Sequence, residues 1–136
     1  MHAVYQEQLL TLARYVRALP PIAAPDLRIA HHNPVCGDKI TLSACLSDGA
    51  LARIHIAAEG CALCEAGAGL WLQLAEGKMA NDLLHLADDI DAFLKQGNSD
   101  EAGPFAALTP ILTIKNRHKC VALAFEAGRK LSVKMG

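Results

Sequence analysis

The sequence predicts an α+β fold, a small antiparallel β-sheet covered by helices. Three observations predict it: apolar residues at helical spacing at the start and over the second half of the chain, strict alternation confined to residues 39–58, and an order of helix, sheet, helices without internal repeat. At 136 residues and 14.5 kDa the chain is long enough for one domain with a substantial core and short for two. We therefore expect a single domain over 1–136, with an N-terminal helix over 1–20, a loop over 21–35 and the core over 36–136.

Tyr5, Leu9, Leu12, Val16 and Leu19 recur at spacings of four and three, the stripe of a helix that must stop near Pro20-Pro21. Pro21 to Pro34 holds three prolines and the pair His31-His32 without helical period, which reads as a loop or a short edge strand. From Lys39 the period is two, with Ile40, Leu42, Ala44 and Leu46 on one face, and Asp48-Gly49 supplies a turn. Ala52, Ile54, Ile56 and Ala58 continue the alternation, completing a hairpin with one buried face. Leu63, Leu70 and Leu74 then share a helical face up to Glu76-Gly77. A helix over Ala80 to Lys95 carries Leu83, Leu84, Leu86, Ile90, Phe93 and Leu94 inward. Gln96 to Gly103 is polar loop, Pro104 to Ile114 holds one or two helical turns, and Cys120, Ala124, Ala127 and Leu131 mark a final helix.

Composition removes several classes of function. Hydrophobic residues make up 52% and charged residues 20%, which excludes a disordered or collagen-like chain. A net charge of -1 offers no global attraction for phosphate backbones or anionic lipids, so no nucleic-acid partner is expected. Apolar stretches such as Val121 to Phe125 are far below the roughly 20 residues that cross a bilayer. The first ten residues lack a basic segment followed by an apolar one. A cytoplasmic protein is expected. In a reducing compartment, five cysteines at 36, 45, 61, 64 and 120 point to metal binding or thiol chemistry rather than to a disulfide framework.

Three of the five open structural elements. Cys36-Gly37-Asp38 sits where the first confident strand begins, with Gly37 permitting a sharp bend and Asp38 placing a carboxylate two residues from the thiol. Cys61 follows Gly60 at a helix start, where unpaired N–H groups and the positive dipole end favour a thiolate, and Cys64 lies next to it on the same helical face. Cys120 also opens a helix, with Arg117 and Lys119 nearby to favour its thiolate. Cys45, in mid-strand, reads as a small packing side chain. A site of Cys36, Asp38, Cys61 and Cys120 suits tetrahedral zinc, and an iron-sulfur cluster would accept the same thiolates. One C-x-x-C alone is a weak signal, because a zinc ribbon needs a second pair.

Asn33-Pro34-Val35-Cys36-Gly37-Asp38, Gly60-Cys61-Ala62-Leu63-Cys64-Glu65-Ala66, and Arg117-His118-Lys119-Cys120 with Leu123 closely resemble the three cysteine motifs of the IscU/SufU/NifU-like family of iron-sulfur cluster assembly proteins. The three occur in the family's order and span most of the chain. The resemblance implies a sandwich of a small antiparallel sheet and helices, and a ligand set of Cys36, Asp38, Cys61 and Cys120 holding Zn²⁺ or a transient [2Fe-2S] cluster. It also implies a PLP-dependent cysteine desulfurase as sulfur donor, and acceptor apoproteins or other assembly components as recipients. The role that the resemblance implies is that of a scaffold or zinc-dependent sulfur acceptor rather than of a conventional enzyme. Asp38 is a harder, more exchangeable ligand than a fourth thiolate and would keep the site labile.

Lys119 stands where the scaffold branch of that family has histidine. The 58 residues between Cys61 and Cys120 leave room for the extra helical segment of the SufU-like branch, so the chain resembles that branch most. By that analogy Cys36 is the first candidate to carry a persulfide, Arg117 supports the site, and Cys120 is the runner-up. The chain departs from the family at Cys64, Gly67 and Gly69, where serines are usual. Interior glycines cost a helix roughly 1 kcal/mol each against alanine, unless they permit close backbone approach. Cys64 has three readings: silent packing, which is preferred, an extra ligand, or a resolving thiol for Cys61. His31 and His32 could supply a nitrogen ligand, although a solvated loop is the commoner meaning. His118 is turned about 100° from the ligand position, and His2, His55 and His85 read as surface. Two rival functions remain: a zinc-stabilised interaction module without sulfur transfer, and a dithiol oxidoreductase at Cys61 and Cys64, which lacks the βαβ context that such a motif needs.

Overall fold

The structure, a computed structural model, describes residues 3–96 and 103–136, with side chains from residue 5 onward. His2 and most of the polar loop expected over Gln96 to Gly103 lie outside the described residues. Helix α1 (Ala3–Arg17) buries Leu9, Leu12, Ala13 and Val16 and ends before Pro20, as the apolar spacing requires. Strand β1 (Leu27–His32) corrects the loop expected over 21–35 in favour of the edge-strand alternative. Pro25 and Pro34 flank the strand rather than interrupt it, and Leu27, Ile29 and His31 alternate inward. His31 and His32 therefore belong to a strand, not to a solvated loop.

Strands β2 (Lys39–Ser47) and β3 (Ala50–Glu59) form the expected hairpin. Asp48 and Gly49 both take positive φ, 52° and 82°, the combination that a two-residue turn matched to strand twist demands. One detail of the alternation fails. A register shift between Cys45 and Leu46 pairs Leu46 with Leu51, so Leu51 is buried in place of the expected Ala52, which is exposed. The sheet runs β1-β2-β3, antiparallel throughout.

Helix α2 (Ala62–Ala75) follows, then α3 (Ala80–Gln96), 3-10 turns over Ala106–Ile111 and Lys115–Arg117, and α4 (His118–Met135). Helix α4 lies across β1 and β2 while α2 backs onto β3. Helix α1 packs on α2, and α3 on α4. Helix α2 is thus enclosed, and its buried residues run unbroken from Ala66 to Leu72 instead of forming the Leu63, Leu70, Leu74 stripe. A helix apolar all round belongs in an interior. Gly67 and Gly69 explain how it fits there. Two residues turn a helix by about 200°, so they face opposite sides. A methyl group at 67 would meet the Val121 backbone of α4, and one at 69 the Leu12 backbone of α1. Beyond this, Phe105 packs tilted against Phe93 and edge-on against Phe125, with centroids 5.5 and 6.0 Å apart, tying α3 and the 3-10 segment to α4. Among the described residues no helix is long and apolar enough to cross a membrane.

Candidate metal centre

The turn between β1 and β2 carries Cys36. Asn33 builds it: its N–H donates to the Asp38 carbonyl at 2.8 Å, its carbonyl accepts from the Gly37 N–H at 2.8 Å, and its Oδ1 accepts from the Val35 N–H at 3.0 Å. Gly37 closes the turn at a φ of 79°. Cys36 is left exposed at the tip, while Asp38, two residues on, points inward and is buried. Cys61 is the residue that caps the N-terminus of α2, and Cys120 lies in the first turn of α4. Both helices thus direct their positive ends and unpaired N–H groups at one spot, a setting that favours anionic donors.

The thiols of Cys36 and Cys120 and a carboxylate oxygen of Asp38 lie within 4.8 Å of one another. Cys61 joins through Asp38, its Sγ 3.9 Å from Oδ2. Tetrahedral zinc with Zn–S bonds of about 2.3 Å separates sulfurs by about 3.8 Å, so Cys36, Asp38 and Cys120 would draw in by up to about an ångström around an ion, while Cys61, outside that three-residue cluster, would have to move in to become a fourth ligand. The chemistry of the donors fits as well. Among the described residues no basic side chain pairs directly with buried Asp38; the thiols of Cys61 and Cys120 lie beside it and the Arg117 charge acts on it from farther off, and a buried carboxylate is normally paired or bound to a metal. Three sulfurs and one oxygen could hold zinc or an iron-sulfur cluster.

The electrostatics correct one expectation. Cys120 was expected to favour the thiolate; instead burial, the hydrogen bond to Asp38 and the nearby Cys61 push its pKa up to about 12, and the hydrogen bond from Arg117 offsets this only in part. Arg117 lies close enough to Cys120 and Cys61 for its charge to act on both thiols. Cys64 is fully buried behind the group, its thiol pushed up to about 12 by burial, then by Asp38 and Cys61. Such complete burial suits a packing side chain and keeps this thiol out of a partner's reach. Cys45 is half-buried in β2, its thiol 4.0 Å from the Ala24 carbonyl and remote from the group. His118 is turned from the group, its Nε2 3.0 Å from the Ile111 carbonyl and 3.2 Å from that of Leu112. His85 is exposed, and His55 is half-buried on the outer face of the sheet.

Gly60 is the site residue that sequence reasoning passed over. A Cβ there would lie 2.6 Å from Cγ of Asp38 and 2.8 Å from its Oδ1, so this glycine supplies the space that the carboxylate occupies. The available signal was a glycine directly before Cys61 that no turn requires. Gly60→Ala is expected to displace Asp38 and weaken zinc binding about 10- to 100-fold, the usual cost of disturbing a ligand's support. Chelator competition measures it. In an Asp38→Ala background the same substitution should have no further effect, because the clash is gone.

No protein-family model matches the chain. The iron-sulfur cluster assembly scaffold protein IscU of Thermotoga maritima is 32% identical over 107 residues, covering 74% of this chain and 75% of that protein. Among solved structures, the N-terminal part of a nitrogen-fixing NifU-like protein from Brucella abortus superposes with a TM-score of 0.79 at 24% identity, over 97% of this chain and 93% of that one. A candidate cluster assembly scaffold of the SUF system from Fervidobacterium islandicum AW-1 superposes with a TM-score of 0.81 at 19% identity, over 95% and 96% of the two chains.

Proposed function

This chain belongs to the IscU/SufU/NifU family of iron-sulfur cluster assembly proteins, and from that premise we propose that it accepts sulfur at Cys36 and assembles or relays it at a site of Cys36, Asp38, Cys61 and Cys120. The donor is a pyridoxal-phosphate cysteine desulfurase bearing a persulfide, and the recipients are apoproteins of the same assembly route. Five free thiols suit a reducing compartment such as the cytoplasm.

One observation carries the choice of Cys36: it is the exposed thiol of the group, on a tight turn, whereas Cys120 is 2% exposed. A partner's persulfide has to reach the sulfur that attacks it. The Cys36 thiolate attacks the terminal sulfur, the S–S bond in the donor breaks, the donor's cysteine leaves as thiolate, and Cys36 holds the persulfide. Asp38 and the ends of α2 and α4 fix the neighbouring donors around it. The metal or cluster, when bound, supplies Lewis acidity that keeps those thiols ionised.

Incubation with a desulfurase and ³⁵S-cysteine tests this. Wild type is expected to acquire label that a reductant releases, and Cys36→Ala to lose it by more than about tenfold. Label that survives in Cys36→Ala and vanishes in Cys120→Ala would move the acceptor to Cys120. A wild-type chain that binds zinc but never takes label would leave a zinc-stabilised interaction module.

A further inference from the structure

Strand β1 is an edge of the sheet: it pairs with β2 and, among the described residues, with nothing on its other side. The bond from the Asn33 N–H to the Asp38 carbonyl fixes the phase of this ladder. Leu27, Ile29 and His31 therefore spend their backbone groups on Ala44, Leu42 and Ile40, and the N–H and C=O of Arg28, Ala30 and His32 face outward. A shallow groove of about 440 Å³ runs beside this edge, lined by Arg28, Ile29, Ala30, Lys130, Val133 and Lys134. Its three cations make no ion pair with a described residue, no acidic side chain lines it, and Glu126, one turn before Lys130, is held by Arg129 at 3.3 Å. Val133, 77% exposed, gives it an apolar spot.

We propose that the free edge of β1 and this groove form a docking site for an extended acidic segment of another protein, which adds as a fourth strand. Outward N–H and C=O groups supply the ladder, Arg28 meets acidic side chains on the outer face, and Lys130 and Lys134 meet them on the helix side, where an apolar residue covers Val133. A second copy of this chain is the poorer occupant, because edge-to-edge pairing would bring Arg28, Lys130 and Lys134 against their own kind. The docked strand would end at His32, at the foot of the turn that carries Cys36. The inference rests on the chemistry of the edge and holds whether or not Cys36 accepts sulfur.

Fluorescence anisotropy with a labelled, capped six-residue peptide that carries glutamates on both faces and one valine, matched in length to β1, tests the proposal on the whole chain, with the same peptide bearing lysine in place of glutamate and a short oligothymidine as alternatives. Saturable binding of the acidic peptide is expected, weakened about tenfold or more by Lys130→Glu with Lys134→Glu, and similarly by Ala30→Pro, which removes an outward N–H and leaves the existing ladder intact. Amide exchange on unsubstituted protein gives a second readout: peptide should slow exchange at Arg28, Ala30 and His32. No binding of the acidic peptide, binding without slowed exchange at these three amides, or tighter binding of oligothymidine would each overturn it, the last in favour of a nucleic-acid backbone.

Discussion

Gly69→Ala is expected to destabilise the protein by about 3 kcal/mol, lowering Tm by about 10 °C in a chain of this size. Helix propensity taken alone predicts the opposite sign, since alanine is better than glycine in a helix interior by about 1 kcal/mol. Packing decides. The added Cβ would stand 2.7 Å from the Leu12 carbonyl carbon and closer still to its oxygen, and the obstacle is backbone of α1 rather than the free end of a side chain. Relief requires α1 to move off α2, opening the seam that buries Leu9, Leu12 and Val16. Gly67→Ala meets α4 in the same way, 2.9 Å from the carbonyl carbon of Val121. It should cost a similar amount and also shift the helix start that presents Cys120. Urea or thermal unfolding of both variants measures this, and a rise in Tm would mean that the glycines are incidental.

Cys120→Ala is expected to weaken zinc binding by about 3 kcal/mol, roughly two decades in Kd. Four-ligand structural zinc sites are worth about 10–16 kcal/mol, and an even share of one ligand is about a quarter of that. The same variant should change the pH dependence. Cys120 is pushed up to about 12 without metal, so at neutral pH it is a thiol, and capture of an ion expels its proton. Affinity therefore rises with pH in the wild type, by about tenfold per unit for each proton released, and the slope in Cys120→Ala should be smaller by one proton. Chelator competition at two pH values, with proton release followed in buffers of different ionisation enthalpy, measures both effects. An unchanged Kd and slope would remove Cys120 from the ligand set.

What could be read in the sequence follows from which signals are local. The β2–β3 hairpin was legible because alternation and the Asp48-Gly49 turn agree, and α1, α3 and α4 because each has one apolar stripe. Strand β1 was obscured by the prolines around it and by His31 at an inward position where an aliphatic residue is expected. The register shift at Cys45/Leu46 leaves no mark in a sequence that remains apolar at Leu46 and Leu51 alike. Helix α2 misled in another way, since enclosure on all sides erases the stripe that helical periodicity relies on. Gly67 and Gly69, which look like defects from within the helix, make sense once α1 and α4 are in place. At the site, Cys36, Asp38, Cys61 and Cys120 could be picked out as element-opening donors. The clearance at Gly60 and the protonation of Cys120 depend on which groups meet across the fold.

The most direct measurement is zinc, iron and acid-labile sulfide per chain after anaerobic purification, on wild type and Cys61→Ala side by side, each also after incubation with zinc and desalting. About one zinc per wild-type chain is expected, or iron with matching sulfide, with loss of either in Cys61→Ala while the variant stays folded by circular dichroism. A wild-type chain that retains neither metal after zinc loading, or a variant that retains as much as wild type, would contradict a metal centre at Cys36, Asp38, Cys61 and Cys120.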